Sequence, residues 1–341
     1  MLKYGSKIKI QETNFKLKSN KMKKVFLPLI ALLMTAQMVF AQDAEKKESP
    51  WTHGGMVGLN FAQSHFDNWA AGGQDNINLL GTAVYNLDYN KDKHKWENDF
   101  DFQLGYNYFD VKKRPIKTDD RLFIGSLYGY NIVKDKLYAS ANFTFQTQFA
   151  SGYDYKSVDT AKVSEFMAPG YITLGLGIDW TPTKADARVK FSMNIAPLTG
   201  RVTIVNDQVF ADEGRYGVKA AQYDEITGEL IKHGDKTHWE LGAKVTAKFN
   251  AEVFKNVFFT SKLDIFVDYI NELSRNYSSP FDFDWDNLLT LKVNDWLNCN
   301  ISARLLYDED AFPWNDVDNK HADDILQFKE VFSLGLSYTI H

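Results

Sequence analysis

Between Trp239 and Val253 every second residue is apolar: Trp239, Leu241, Ala243, Val245, Ala247, Phe249, Ala251 and Val253. The residues between them are Glu240, Gly242, Lys244, Thr246, Lys248, Asn250 and Glu252, none a large apolar side chain. Successive side chains of a strand point to opposite faces, so this stretch predicts one oily face and one wet, charged face. It is also long. At roughly 3.3 Å per residue it reaches about 50 Å, against about five or six residues for an ordinary globular strand. A strand with lipid on one side and water on the other fits that length and pattern better than a soluble sheet does.

The same alternation recurs along the chain. Strands are predicted near 53–64, 77–89, 96–108, 122–132, 137–149, 172–180, 188–197 (with a possible extension to 205), 239–253, 257–269, 283–293, 297–307 and 331–340. The outward row of 257–269 is apolar except for Ser261. That makes about twelve strands, an even number as in bacterial single-chain barrels. The connections alternate in length. Long ones lie near 65–75, 111–119, 151–168, 206–236, 272–280 and 309–327, and short ones near 90–94, 134–135, 182–186, 255–256 and 294–295. Outer-membrane barrels pair short periplasmic turns with longer extracellular loops. The expected fold is therefore all-β: a transmembrane antiparallel β-barrel over 53–341, both termini periplasmic and every long connection outside.

Composition agrees with that class. Aromatic residues make up 15% of the 341, as the aromatic girdles of a membrane barrel require. A net charge of -5 argues against a nucleic-acid partner, which would need a basic face. Mean hydropathy of -0.36 excludes a helical membrane bundle but not a barrel, whose alternating strands average out. Cys299 is the single cysteine, so no intramolecular disulfide or thiolate metal cluster can form.

Residues 22–41, MKKVFLPLIALLMTAQMVFA, place two lysines before an uncharged run that ends in small residues at Val39 and Ala41. This is the form of a secretory signal peptide, with cleavage expected after Ala41. Residues 1–21 carry no strand or cap logic, and the simplest reading starts translation at Met22. A polar leader, 42–52, precedes the barrel.

The stretch GLNFAQSHFDNWAAGGQDNINLLGTAVYNLDYN, and within it Asn68-Trp69-x-x-Gly72-Gly73, resembles the opening of a family of functionally uncharacterised outer-membrane β-barrel proteins from Gram-negative bacteria. The resemblance implies the same fold and location and brings no activity with it. The last strand, ending Tyr338-Thr339-Ile340-His341, resembles the C-terminal signal read by the barrel-assembly machinery, although the common form ends in an aromatic residue. Outer-membrane lipid and that machinery are the expected partners.

Candidate functional residues fall in two sets. Trp69, with Asn68, Gly72 and Gly73, could offer a stacking platform for sugar or lipid; a glycine turn beside a girdle aromatic accounts for the same residues more simply. The inner rows carry Glu97, Asp99, Asp101, Arg188, Lys190, Lys244, Lys248, Lys262, Asp264, Asp284, Asp286 and Arg304, joined by Arg121, Glu240, Glu252, Asp268 and Lys292. In an open pore these would set ion preference; in a narrow barrel they would pair and fill the lumen, and twelve strands lie between those cases. The acidic residues of 308–324 read as a solvated loop, and Asp316-x-Asp318-x-Lys320 fails the EF-hand pattern. No G-x-S-x-G, H-E-x-x-H or P-loop occurs, so neither an enzyme nor a cofactor or metal is expected. The leading functional expectation is a porin-like channel for small solutes. The alternatives are a structural or binding barrel whose outer loops contact surface glycans, lipid or a partner protein, and, less favoured, an outer-membrane enzyme.

Overall fold

In the computed structural model the described residues are 49–64, 76–109, 115–154, 161–184, 187–269, 281–308 and 326–340. Twelve long strands form the barrel: β1 Trp51–Ser64, β2 Asn76–Lys91, β3 His94–Tyr108, β4 Ile116–Val133, β5 Leu137–Thr147, β6 Gly170–Trp180, β7 Val189–Ile204, β8 Thr237–Phe254, β9 Val257–Asp268, β10 Phe281–Lys292, β11 Leu297–Tyr307 and β12 Gln327–Ile340. Each pairs antiparallel with its neighbours in sequence, and β1 pairs with β12 to close the ring. Closure gives every strand a paired neighbour on both sides over at least part of its length, as a sheet that sits in oil needs. The expected strands are all present. β4 begins at Ile116, inside the stretch 111–119 expected to be loop, and β12 begins at Gln327 rather than 331. β1 begins at Trp51, inside the stretch 42–52 expected to be a polar leader, while residues 1–48, which hold the signal segment, and the motif residues 68–73 lie outside the described residues.

Burial runs opposite to that of a soluble domain. The alternating apolar rows face outward and stay exposed, as at Phe332 (69%), Trp239 (72%) and Leu174 (58%), while Glu240, Asp179 and Asn194 are buried inside. Three of the short turns carry a left-handed residue, Asp92 (φ 56), Asp135 (φ 57) and Asn256 (φ 64). Asp and Asn tolerate that conformation better than any other non-glycine residues, and it matches the strand twist in a tight hairpin.

One irregularity redirects half a strand. On β7, Ile195 pairs with Ile178 and Leu198 with Leu176, so β7 carries one residue more than β6 between those pairs. The partner on the other side shows the same shift, with Ala196 opposite Lys244 and Thr199 opposite Gly242. The extra residue sits at Pro197, where a missing N–H costs no ladder bond. Beyond it the alternation inverts: Val189 and Ile195 point out before the bulge, Leu198 points out after it, and Arg201 turns inward. Gly177 faces the bulge, and a Cβ there would fall 2.0 Å from the Ile195 carbonyl oxygen.

The outer surface also contains two matching polar trios. Trp96 donates its indole N–H to Ser126 Oγ (2.7 Å), and that hydroxyl donates to Asn98 Oδ1 (2.9 Å). Trp285 donates to Ser261 Oγ (3.0 Å), which donates to Asn287 Oδ1 (2.8 Å). In both, a serine stands directly opposite the asparagine, and the tryptophan lies two residues before it. This explains why Ser261 interrupts an otherwise apolar row.

The connection after β7 is folded rather than a plain loop. Asp207 caps the short helix α1 (Gln208–Asp212), accepting from the Val209 amide at 2.8 Å. Phe210 and Ala211 pack with Ala168, Val205 and Val218 into a small apolar core, with Tyr216 against it. Arg215 (4.3 Å) and Lys162 (5.3 Å) lie over the Phe210 ring. Burial pushes the Tyr216 hydroxyl up to about 12, and it donates to the Val163 carbonyl at 2.6 Å. Burial alone would raise the Asp207 carboxyl. Lys162 and the amides of Phe210 and Val209 outweigh it and hold that group below its ordinary value.

Candidate functional site in the barrel lumen

Alternation and register together build two facing walls. On β8–β11 the pairing sets Lys248 beside Lys262, Lys262 beside Asp286, and Asp286 beside Arg304, a charged row around a third of the ring. One step toward the long connections lie Thr246, Asp264 and Asp284. The facing wall, β2–β4, presents Asn86 and Asp99 as direct neighbours, then Asp101, with Arg121 beside Gln103.

Side chains from these walls meet across the interior. Lys248 Nζ lies 3.2 Å from Asp99 Oδ2, and Asn86 donates to Asp99 Oδ1 at 2.6 Å. Arg121 donates to Asp286 Oδ2 at 3.2 Å, and its Nε lies 3.8 Å from Asp101. β4 and β10 are six strands apart in a ring of twelve, so this guanidinium bridges directly opposite walls. Lys262 lies 5.0 Å from the centre of the Phe123 ring, which also comes from the far wall. Arg304 makes a paired contact with Asp284 at 2.7 and 2.6 Å and sits 3.6 Å from Asp286. Lys244 and Lys262 share one carboxylate, Asp264, at 3.2 and 2.9 Å. A belt of ion pairs therefore crosses the lumen.

Ten of the twelve expected lumen residues take part: Glu97, through its 2.8 Å pair with Lys95, Asp99, Asp101, Lys244, Lys248, Lys262, Asp264, Asp284, Asp286 and Arg304. The other two do not join the belt. Arg188 precedes β7 and donates to the Glu252 carbonyl at 2.8 Å, and Lys190 is exposed beside it at the short-turn rim.

Three groups were not legible as site residues in the sequence. Arg201 clasps Glu240 through both carboxylate oxygens and reaches Asp282 at 2.7 Å, with its guanidinium 4.3 Å from the Phe266 ring centre. Lys95 joins Asp179 at 3.1 Å, and Lys329 joins Asp119 at 2.6 Å. The bulge at Pro197 hides Arg201, because unbroken alternation from Val189 would send residue 201 outward.

Above the belt, toward the long connections, lies a cavity of about 150 Å³, lined by Arg121, Arg201, Lys244, Asp264, Asp282 and Arg304 together with Phe123, Tyr171 and Phe266. Arg121 Nε and Asn142 Oδ1 are buried in this interior without a hydrogen-bond partner. Polar atoms so placed suit water or a polar solute. Among the described residues no group of His, Cys, Asp and Glu could hold a metal ion.

Residues 61–153 match the model of a family described as a protein of unknown function (DUF3078). No curated protein matches the sequence. Among solved structures the chain is similar to the translocator domain of the autotransporter NalP from Neisseria meningitidis, at 8% identity and TM-score 0.37, covering 94% of this chain and 97% of that one. It is also similar to the NanC porin, at 10% identity and TM-score 0.33 over 84% and 98% of the two chains. A third is OprB of Pseudomonas putida, at 7% identity and TM-score 0.29 over 85% and 93%. Values this low say nothing about what the chain does; the barrel rests on its own strand register.

Proposed function

We propose that this chain is an outer-membrane β-barrel offering small polar or ionic solutes a narrow route whose constriction is the ion-pair belt. In this reading it is exported on the leader 22–41, cleaved after Ala41, inserted by the barrel-assembly machinery, and performs no catalysis. Three features support the membrane setting. The ring is closed, the outward rows are apolar, and the long connections gather at one end. Among the described residues no helix is long and apolar enough to cross a membrane, a statement that does not bear on crossing by strands.

The observation that carries the channel reading is the bridge from Arg121 to Asp286 across the ring, next to a wetted tie between Lys248 (36% exposed) and Asp99 (33% exposed). Ion pairs that water reaches are worth about 1 kcal/mol or less, so salt, voltage or a charged solute can exchange them. A second reading is a sealed barrel whose long connections recognise surface glycan, lipid or a partner protein; the folded connection between β7 and β8 favours it.

Single-channel recording in planar bilayers separates the two. The wild type is expected to show small steps, and Arg121→Ala with Asp286→Ala to raise the unit conductance by about twofold or more, as widening a charged constriction does. Lys244→Glu with Lys248→Glu should move the reversal potential toward cation preference. Silence in every variant would remove the channel and leave the sealed barrel.

A further inference from the structure

The seam that closes the barrel is unlike its other ladders. β1 and β12 pair only from Gly55 with Ile340 to Asn60 with Gly335, six residue pairs, whereas every other barrel ladder has at least ten. Neither strand ends there. β1 stays paired to β2 as far as Ser64, and β12 stays paired to β11 up to Gln327. Toward the long connections the two strands therefore part, leaving a wedge between them. Asn60 lies over the last closing pair so tightly that a Cβ on Gly335 would fall 1.8 Å from its Oδ1.

The outward rows do not become polar where the ladder stops. Phe61 on β1 and Leu334 and Phe332 on β12 follow directly and are 48%, 54% and 69% exposed. On the reading that this barrel sits in a bilayer, the wedge opens inside the apolar band. Backbone N–H and C=O groups have no partner in hydrocarbon, so on that reading such edges call for polar partners from the lumen side. An opening with oil on one side, a polar interior on the other and strand edges between suits one class of molecule: an amphiphile whose head enters the lumen while its tail stays in lipid.

We propose that the β1–β12 seam is a lateral window in the long-connection half of the barrel, admitting the headgroup of a membrane amphiphile from the bilayer to the lumen. The inference rests on the membrane-barrel reading, and its test keeps the two apart. In a Cys299→Ser background reconstituted in phospholipid vesicles, two double-cysteine variants are oxidised. Met56→Cys with Thr339→Cys lies within the ladder, and Ala62→Cys with Ser333→Cys would pair only if the ladder continued. The first pair is expected to cross-link at least tenfold faster. Equal rates mean a closed seam and overturn the window; failure of the first pair overturns the barrel itself.

Lumen-facing thiols then read entry. Ser302→Cys on β11 lies beside the window and Thr144→Cys on β5 lies on the far wall. A water-soluble maleimide should label both, which tests the wet lumen. A phospholipid carrying maleimide on its headgroup should label Ser302→Cys at least tenfold faster than Thr144→Cys. Joining Ala62→Cys to Ser333→Cys with a short bis-maleimide, before Ser302→Cys is exposed by reduction of a protecting disulfide, should abolish that preference. Labelling of neither site by the lipid probe, with both open to the soluble one, would overturn the window and leave the lumen reading intact.

Discussion

The belt across the lumen and the folded connection after β7 are organised by opposite rules. In the connection, Phe210 and Val205 are shut away and charges such as Lys162 and Arg215 lie around them, as in any small soluble core. In the barrel the apolar rows face outward and the charges meet inside. The difference teaches where each part draws its order. The connection depends on excluding water from a few side chains. The barrel wall depends on its backbone ladders, and its interior charges are free to be arranged for something other than stability.

Four single substitutions and one double variant test that contrast. Phe210→Ala removes the centre of a core with few other members and should cost about 3–5 kcal/mol, more than so small a unit can lose. Limited proteolysis should then cut the connection while the barrel strands stay protected. Tyr216 should titrate near its ordinary 10.0 in that variant, against about 12 in the wild type, followed by ultraviolet absorbance. A raised value means that the fold favours the hydroxyl. This contribution is complete below pH 10 and is lost as pH rises through 12.

Next in size, Arg121→Ala takes one cationic partner from Asp101 and from Asp286, which keeps Arg304 at 3.6 Å, and should cost about 2 kcal/mol in urea titration, below the buried-pair range because Arg304 and water still reach Asp286. Adding Asp286→Ala should recover part of that loss. If the single and double variants unfold alike, the belt does not act as a coupled unit. Asp207→Ala should cost the connection about 1 kcal/mol as a lost N-cap. The Asp207 carboxyl lies below its ordinary value, so its contribution is present above that ordinary range and fades as pH falls through the lowered value. Protease sensitivity of the connection, measured from neutral to acid pH, checks the sign. Smallest of all, Ser261→Ala should cost about 0.5–1 kcal/mol, the net worth of a typical hydrogen bond, and shift the emission of Trp285.

The strand pattern was legible because a barrel wall writes its two faces into the sequence at period two. β9 and β11 fall within a residue of their expected bounds. Alternation fails where the backbone breaks step. One additional residue at Pro197 inverts the remainder of β7, which hides Arg201. Lys95 and Asp282 also lie just outside the expected strand limits, since terminal residues carry too little pattern to be assigned. The connection core was invisible for another reason. Ala168, Val205, Phe210 and Val218 come from separate segments without any period, and only the folded chain gathers them. Which lysine meets which aspartate across the lumen depends on ring geometry, which no single strand contains.

The two tryptophan–serine–asparagine trios carry a consequence for how the molecule floats. β3 rises from the short-turn end and β10 descends from the other, so Trp96 and Trp285 mark opposite rims. Each indole hydrogen is already engaged by a neighbouring serine. Neither ring can use it to grip a phosphate or glycerol group, so vertical anchoring passes to other rim aromatics, such as Tyr89 and Tyr130. Swapping either engaged tryptophan for phenylalanine should leave immersion depth unchanged, whereas Tyr130→Phe, at an exposed rim ring, should let the barrel bob.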